Sequence, residues 1–145
     1  MFPKKTKIIV CDDSKLSRKV ITNTLIEEGY TAIQQAEDAM KVIDYFQRKE
    51  ERYDLLLLDF NMPGMNGVEL IQNIRASKNY RSLRVIMISA ESEKSVILSA
   101  LKSGVNDFLL KPVTKEDLLK KMESVWNKTP MDLQSDIIDR SMGTS

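Results

Sequence analysis

Leu55-Leu56-Leu57-Leu58-Asp59, followed by Phe60-Asn61-Met62-Pro63-Gly64-Met65-Asn66-Gly67, decides the fold. Four successive leucines offer no polar side chain to either face. The segment therefore reads as a strand buried on both sides, as at the centre of a parallel sheet covered by crossover helices. The apolar run stops at a carboxylate. Pro63-Gly64 and Asn66-Gly67 force a tight loop directly afterwards. Asp59 thus stands where a strand leaves the sheet, the edge at which open α/β sheets bind ligands. On this stretch alone it is either a charge held at the rim of a core or simply the start of the turn.

Working outward, Lys7 to Cys11 contains Ile8-Ile9-Val10, a β-branched interior strand, and it too ends in acid, Asp12-Asp13. Ser14 caps a helix carrying Leu16, Val20, Ile21 and Leu25, which Gly29 stops. Thr31 to Ala36 reads as a weaker edge strand, and Asp38 caps a helix with Ala39, Val42, Ile43 and Phe46 inward. After the central loop, Val68, Leu70, Ile71 and Ile74 mark a helix ending near Ser77. Arg84 to Ser89 is a buried strand ending in a hydroxyl. Ser92 is the expected cap of a helix through Val96, Ile97, Ala100 and Leu101, terminated by Gly104. Asp107 to Leu110 is the last strand and runs into Lys111-Pro112. Thr114 caps a final helix whose stripe is Leu118, Leu119, Met122, Val125 and Trp126.

Strand and helix alternate five times, which demands parallel strands and right-handed crossovers. The expected fold is a doubly wound (βα)5 sandwich of flavodoxin-like type, with sheet order 2-1-3-4-5 taken from the fold type. Residues 1–6 read as a solvated basic arm, 7–127 as the domain, and 128–145 as a linker or docking tail containing Met131, Leu133, Ile137 and Ile138.

A chain of 145 residues fits one domain, and 22 Lys and Arg against 21 Asp and Glu give no electrostatic case for nucleic acid or a membrane surface. The single cysteine, Cys11, excludes an internal disulfide and a multi-thiolate metal site, and fits a small core residue in a reducing cytoplasm. No apolar stretch approaches a membrane span. The chain has no histidine, so imidazole chemistry must come from a partner.

The strand ends deliver Asp12 and Asp13, Asp59, Ser89 and Lys111. In the expected order the first and third strands are neighbours about 4.8 Å apart, which sets Asp13 opposite Asp59. Like charges at 4 Å repel by about 4 kcal/mol at an effective dielectric of 20, so a compensating cation is required. An all-oxygen set without His or Cys favours magnesium, with Lys111 as a second positive charge. A carboxylate nucleophile, a cation, an ammonium and a hydroxyl are the parts of phosphoryl transfer, and Asp59 is read as the acceptor.

Val10-Cys11-Asp12-Asp13-Ser14, Leu58-Asp59-Phe60-Asn61-Met62-Pro63-Gly64-Met65-Asn66-Gly67, Ile88-Ser89-Ala90 and Phe108-Leu109-Leu110-Lys111-Pro112 resemble the defining segments of the response-regulator receiver domain. The resemblance runs from about Lys7 to Asn127. It implies that Asp59 takes a phosphoryl group from the phosphohistidine of a sensor histidine kinase or phosphotransfer protein, or from a small phosphodonor. Mg2+ would be held by Asp13, Asp59 and the backbone carbonyl of Asn61, with Asp12 assisting through water. Lys111 would pair with the phosphoryl oxygens, Ser89 would hydrogen-bond one of them, and Lys111-Pro112 would be cis. The implied readout is movement of Ser89 and inward rotation of Phe108. That rotation would reshape the surface of the fourth helix, fifth strand and fifth helix for a downstream target protein. Asn61 and Glu91 fall where the family tunes dephosphorylation, a pairing similar to chemotaxis-type single-domain regulators. The implied chemistry acts on the chain itself and not on a metabolite.

An aspartate-nucleophile phosphatase is the alternative, but such enzymes need an acid/base two residues on, where this chain has Asn61. A flavin-binding domain lacks its Gly/Ser/Thr-rich phosphate cradle here. A phosphorylation-independent docking module would not need the intact set of acceptor-site residues.

Overall fold

The computed structural model describes residues 1–48, 52–60, 67–90 and 92–126. Asn61, Glu91 and the tail from 127 lie outside the described residues. Five strands, β1 (Lys7–Cys11), β2 (Ala32–Ala36), β3 (Leu55–Asp59), β4 (Arg84–Ser89) and β5 (Asp107–Leu110), alternate with five helices. The helices are α1 (Lys15–Glu27), α2 (Ala39–Gln47), α3 (Gly67–Ala76), α4 (Lys94–Ser103) and α5 (Lys115–Trp126). The sheet is all parallel in the order β2-β1-β3-β4-β5. The leucine strand is therefore the middle of five, and it is buried along its whole length.

The alternation of side chains along β3 divides the core in two. Leu56 and Leu58 join Ile9, Val85 and Met87 beneath α2, α3 and α4. Leu55 and Leu57 join Ile8, Val10, Ile86 and Ile88 beneath α1 and α5. All four leucines are fully buried, each contributing about 2 kcal/mol of transfer free energy. A core this apolar leaves the carboxyl edge as the place where charges collect.

Three helix starts and one helix stop follow their sequence signals. The Ser14 hydroxyl accepts the Ser17 N–H, Asp38 accepts the Lys41 N–H, and the Thr114 hydroxyl accepts the Asp117 N–H at 3.1 Å. Gly104 closes α4 at φ +117°, a conformation that disfavours a side chain. The start of α4 departs from expectation: its N-cap is Glu93 and not Ser92, with no side-chain capping bond. The α1 stripe also departs. Leu16 is 74% exposed and Val20 50%, because Ile21 and Leu25 define the buried face and Leu16 lies about 140° around the helix from Ile21.

In the N-terminal arm Met1, Pro3, Lys4 and Lys5 are exposed, but Phe2 and Thr6 are buried. Phe2 is 2% exposed, its ring centroid 4.8 Å from that of Trp126, and it closes the end of the α1–α5 core. Arg84 locks this corner from beneath, donating to the Val125 carbonyl at 2.9 Å and the Trp126 carbonyl at 2.6 Å. On the opposite layer the half-buried Arg75 bonds the carbonyls of Gly104, Arg81 and Leu83 and the Asn106 side chain. That single guanidinium ties α3 to the end of α4 and the start of β4. Among the described residues, no helix is long and apolar enough to cross a membrane.

Candidate functional site

Strand register builds the site. Cys11 pairs with Leu58, so the next residues, Asp12 and Asp59, emerge side by side. Asp59 pairs with Ile88, which puts Ser89 one step beyond. Ser89 pairs with Leu110, which puts Lys111 one step beyond that. Backbone bonds continue the ladder past the strand ends, from Phe60 N–H to the Ile88 carbonyl and from Lys111 N–H to the Ser89 carbonyl, both at 2.9 Å. Four strands separated by up to 99 residues thus converge on one rim.

The Lys111 ammonium lies 3.3 Å from a carboxylate oxygen of Asp12 and 3.3 Å from one of Asp59. Both aspartates are buried, at 1% and 4% exposure, while Asp13 is open to solvent. Oxygens of Asp12, Asp13 and Asp59 all lie within 4.8 Å of one another. Burial works to raise the pKa of Asp12. The Ser17 side chain, the Ser14 N–H and the Lys111 charge outweigh it and hold the carboxyl below its ordinary value. For Lys111, burial favours the neutral amine, but Asp59 and Asp12 together keep the ammonium and raise its pKa. The Cys11 thiol is pushed far up by burial and by nearby Asp38, Asp12 and Asp59, which leaves it a neutral core residue.

Of the residues singled out from sequence, Lys111 meets Asp12 and Asp59 directly, and Asp13 brings an oxygen within 4.8 Å of theirs. Ser89 is buried at the adjoining strand end. Phe108 lies on β5, partly buried against the α2–α4 layer. The Lys111-Pro112 bond is cis, as the resemblance implied. Asn61 and Glu91 lie outside the described residues. Arg18 was missed: it donates to the Asp12 carbonyl at 2.6 Å and to Gln35 at 3.0 Å, pinning the loop that presents the acid pair. Its position four residues after the helix cap was the available signal.

Three carboxylates against one ammonium leave two negative charges at an all-oxygen rim. That donor set suits a hard divalent cation and offers nothing to a soft one. The acidic cluster is consistent with Mg2+ binding.

Residues 8–123 match the family described as the response regulator receiver domain. The chain belongs to that family. A chemotaxis protein CheY homolog from Campylobacter jejuni is 39% identical to this receiver domain over 119 residues, covering 82% of this chain and 91% of the relative. A Borrelia burgdorferi CheY, solved in a CheX-CheY-BeF3-Mg+2 complex, superposes with TM-score 0.77 at 28% identity. The match covers 85% of this chain and 90% of that one. The receiver domain of a Pseudomonas aeruginosa sensor histidine kinase, with magnesium ion coordinated in the active site cleft, superposes with TM-score 0.74 at 26% identity. It covers 83% of this chain and 96% of that one. Receiver domains of this CheY-like kind are two-component signalling switches, not classical enzymes, and generally bind Mg2+ at an acidic pocket.

Proposed function

We propose that this receiver domain is a phosphorylation-activated switch in which Asp59 is the acceptor. The observation that carries the reading is the buried Asp59 carboxylate, with the Lys111 ammonium 3.3 Å away and Asp12 and Asp13 within 4.8 Å. An ionised Asp59 oxygen attacks phosphorus, the bond to the donor's imidazole nitrogen breaks as the new P–O bond forms, and that nitrogen keeps the electron pair. The donor is the phosphohistidine of a sensor histidine kinase or phosphotransfer protein, since this chain has no histidine of its own.

Asp13 and Asp59, with the Asn61 backbone carbonyl and Asp12 through water, would hold Mg2+. When bound, the ion neutralises charge on the phosphoryl oxygens. Lys111 supplies a fixed cation to the same oxygens, at no reorganisation cost because Asp12 and Asp59 already hold it. Ser89 donates its hydroxyl to one phosphoryl oxygen, and Phe108 turns inward as it does. The surface of α4, β5 and α5 then changes for a downstream target protein, in the cytoplasm and within a chemotaxis-type pathway. Asn61 and Glu91 set how fast water removes the phosphoryl group.

Incubation with acetyl phosphate and Mg2+ tests the reading. The intact protein should gain the mass of one phosphoryl group and change its Trp126 fluorescence, and Asp59→Asn should do neither. A mass gain that persists in Asp59→Asn, or turnover of a panel of phosphate esters, would overturn it in favour of another acceptor or the phosphatase alternative.

A further inference from the structure

Phe108 has no polar atom with which to fix its ring, so only packing and the ring quadrupole can hold it. It sits on β5 opposite Met87, two residues before the Ser89 that shares the phosphoryl rim. The Lys121 ammonium on α5 lies 5.6 Å from its ring centroid, within range of a cation–π attraction. That ammonium is itself anchored 3.2 Å from Asp107 Oδ1, on a side chain only 8% exposed. The same Asp107 oxygen accepts the Phe108 backbone N–H at 2.8 Å. One buried carboxylate oxygen therefore fixes both the backbone of Phe108 and the cation over its ring.

We propose that Lys121, tethered by Asp107, is the positioning residue that sets the resting orientation of the Phe108 ring and so the bias of the switch. The inference rests on Phe108 being the moving aromatic of the proposed function, and it adds what holds that ring before the signal arrives. A lysine free to swing into water would contribute little at a site about one-third exposed. The Asp107 tether holds the cation near the ring at a fixed place between β5 and α5. The clamp also links the ring to the α5 face that the proposed readout reshapes, so rotation of Phe108 must release or reposition Lys121.

The test is aromatic NMR of ring-labelled phenylalanine in the full chain, with the Phe108 signal assigned by Phe108→Leu, before and after Mg2+ with beryllofluoride. In Lys121→Met, which keeps the stem and loses the charge, the resting ring signal should move toward the activated position. The population of the second orientation should rise about threefold, the scale of one partly exposed cation–π contact. Asp107→Asn should act in the same direction, and Lys121→Arg should restore the resting signal. Resting signals identical to wild type in both Lys121→Met and Asp107→Asn would overturn the clamp. A wild-type ring that ignores beryllofluoride would overturn the switch reading instead, while the resting comparison still decides the clamp.

Discussion

Replacing Asp13 by Asn should stabilise the protein without divalent metal and destabilise it, relative to wild type, with metal. Asp12 and Asp59 already share Lys111 at 3.3 Å each, so Asp13 adds its charge to a pair carrying one net negative charge. Its oxygen lies within 4.8 Å of theirs. One unit of repulsion at that separation is about 3.5 kcal/mol at an effective dielectric of 20 and about 0.9 kcal/mol in water. Asp13 is exposed, so the lower figure governs: the variant should gain about 1 kcal/mol in chelator, or about 4 °C in Tm. In Mg2+ at a hundred times the wild-type Kd, wild type gains about 2.7 kcal/mol. The variant, short of one charged ligand, should gain far less, and the ranking should reverse. Thermal melts of both proteins in chelator and in excess Mg2+ read this directly. A variant less stable than wild type in chelator, or an equal Mg2+ gain in the two proteins, would refute the placement of Asp13 as a charge held for the metal.

Gly104→Ala should cost about 2 kcal/mol in urea unfolding, because the residue sits at φ +117° and an added Cβ would meet Arg75 Cγ at 2.9 Å. Phe2→Ala should lower stability by about 3 kcal/mol and expose Trp126, read as a red shift of its fluorescence, since the two rings pack tilted against each other with centroids 4.8 Å apart. Glu28 carries a pH prediction. Its carboxylate is bonded at 2.9 Å by Lys115, and that bond holds its pKa below the ordinary value. A depressed folded pKa means its contribution is present above about pH 4.5 and lost as pH falls through the folded value. An NMR titration should therefore show the Glu28 pKa rising in Lys115→Ala.

The leucine strand, the carboxylates at two strand ends and the lysine before a proline were legible because each is a local pattern whose partner follows from the sheet order. Asp59 meets Lys111 through register alone, once β3, β4 and β5 are neighbours. What stayed hidden depended on partners distant in sequence and outside any period. Phe2 falls in a stretch that reads as a solvated basic arm, and its partner Trp126 is a whole domain away. Arg75, on a helix, and Arg84, at a strand start, carry no signal in the sequence that marks their partners. Arg84 bonds two backbone carbonyls, and Arg75 bonds three together with the Asn106 side chain, none of them marked by a residue pattern. The Leu16 and Val20 stripe misled for the converse reason: apolar spacing on α1 does not say which side of the helix the sheet occupies. Ser92 and Glu93 show how little a cap is fixed by residue type when no side-chain bond forms.

The account turns on which oxygen carries the phosphoryl group. Protein treated with acetyl phosphate and Mg2+, reduced with borohydride and mapped by peptide mass spectrometry, should contain homoserine at position 59, the product of reducing an aspartyl phosphate, and nowhere else. Homoserine at position 12 or 13, a phosphoryl group that survives reduction on a hydroxyl, or an unmodified Asp59 in protein that has gained phosphate would contradict it.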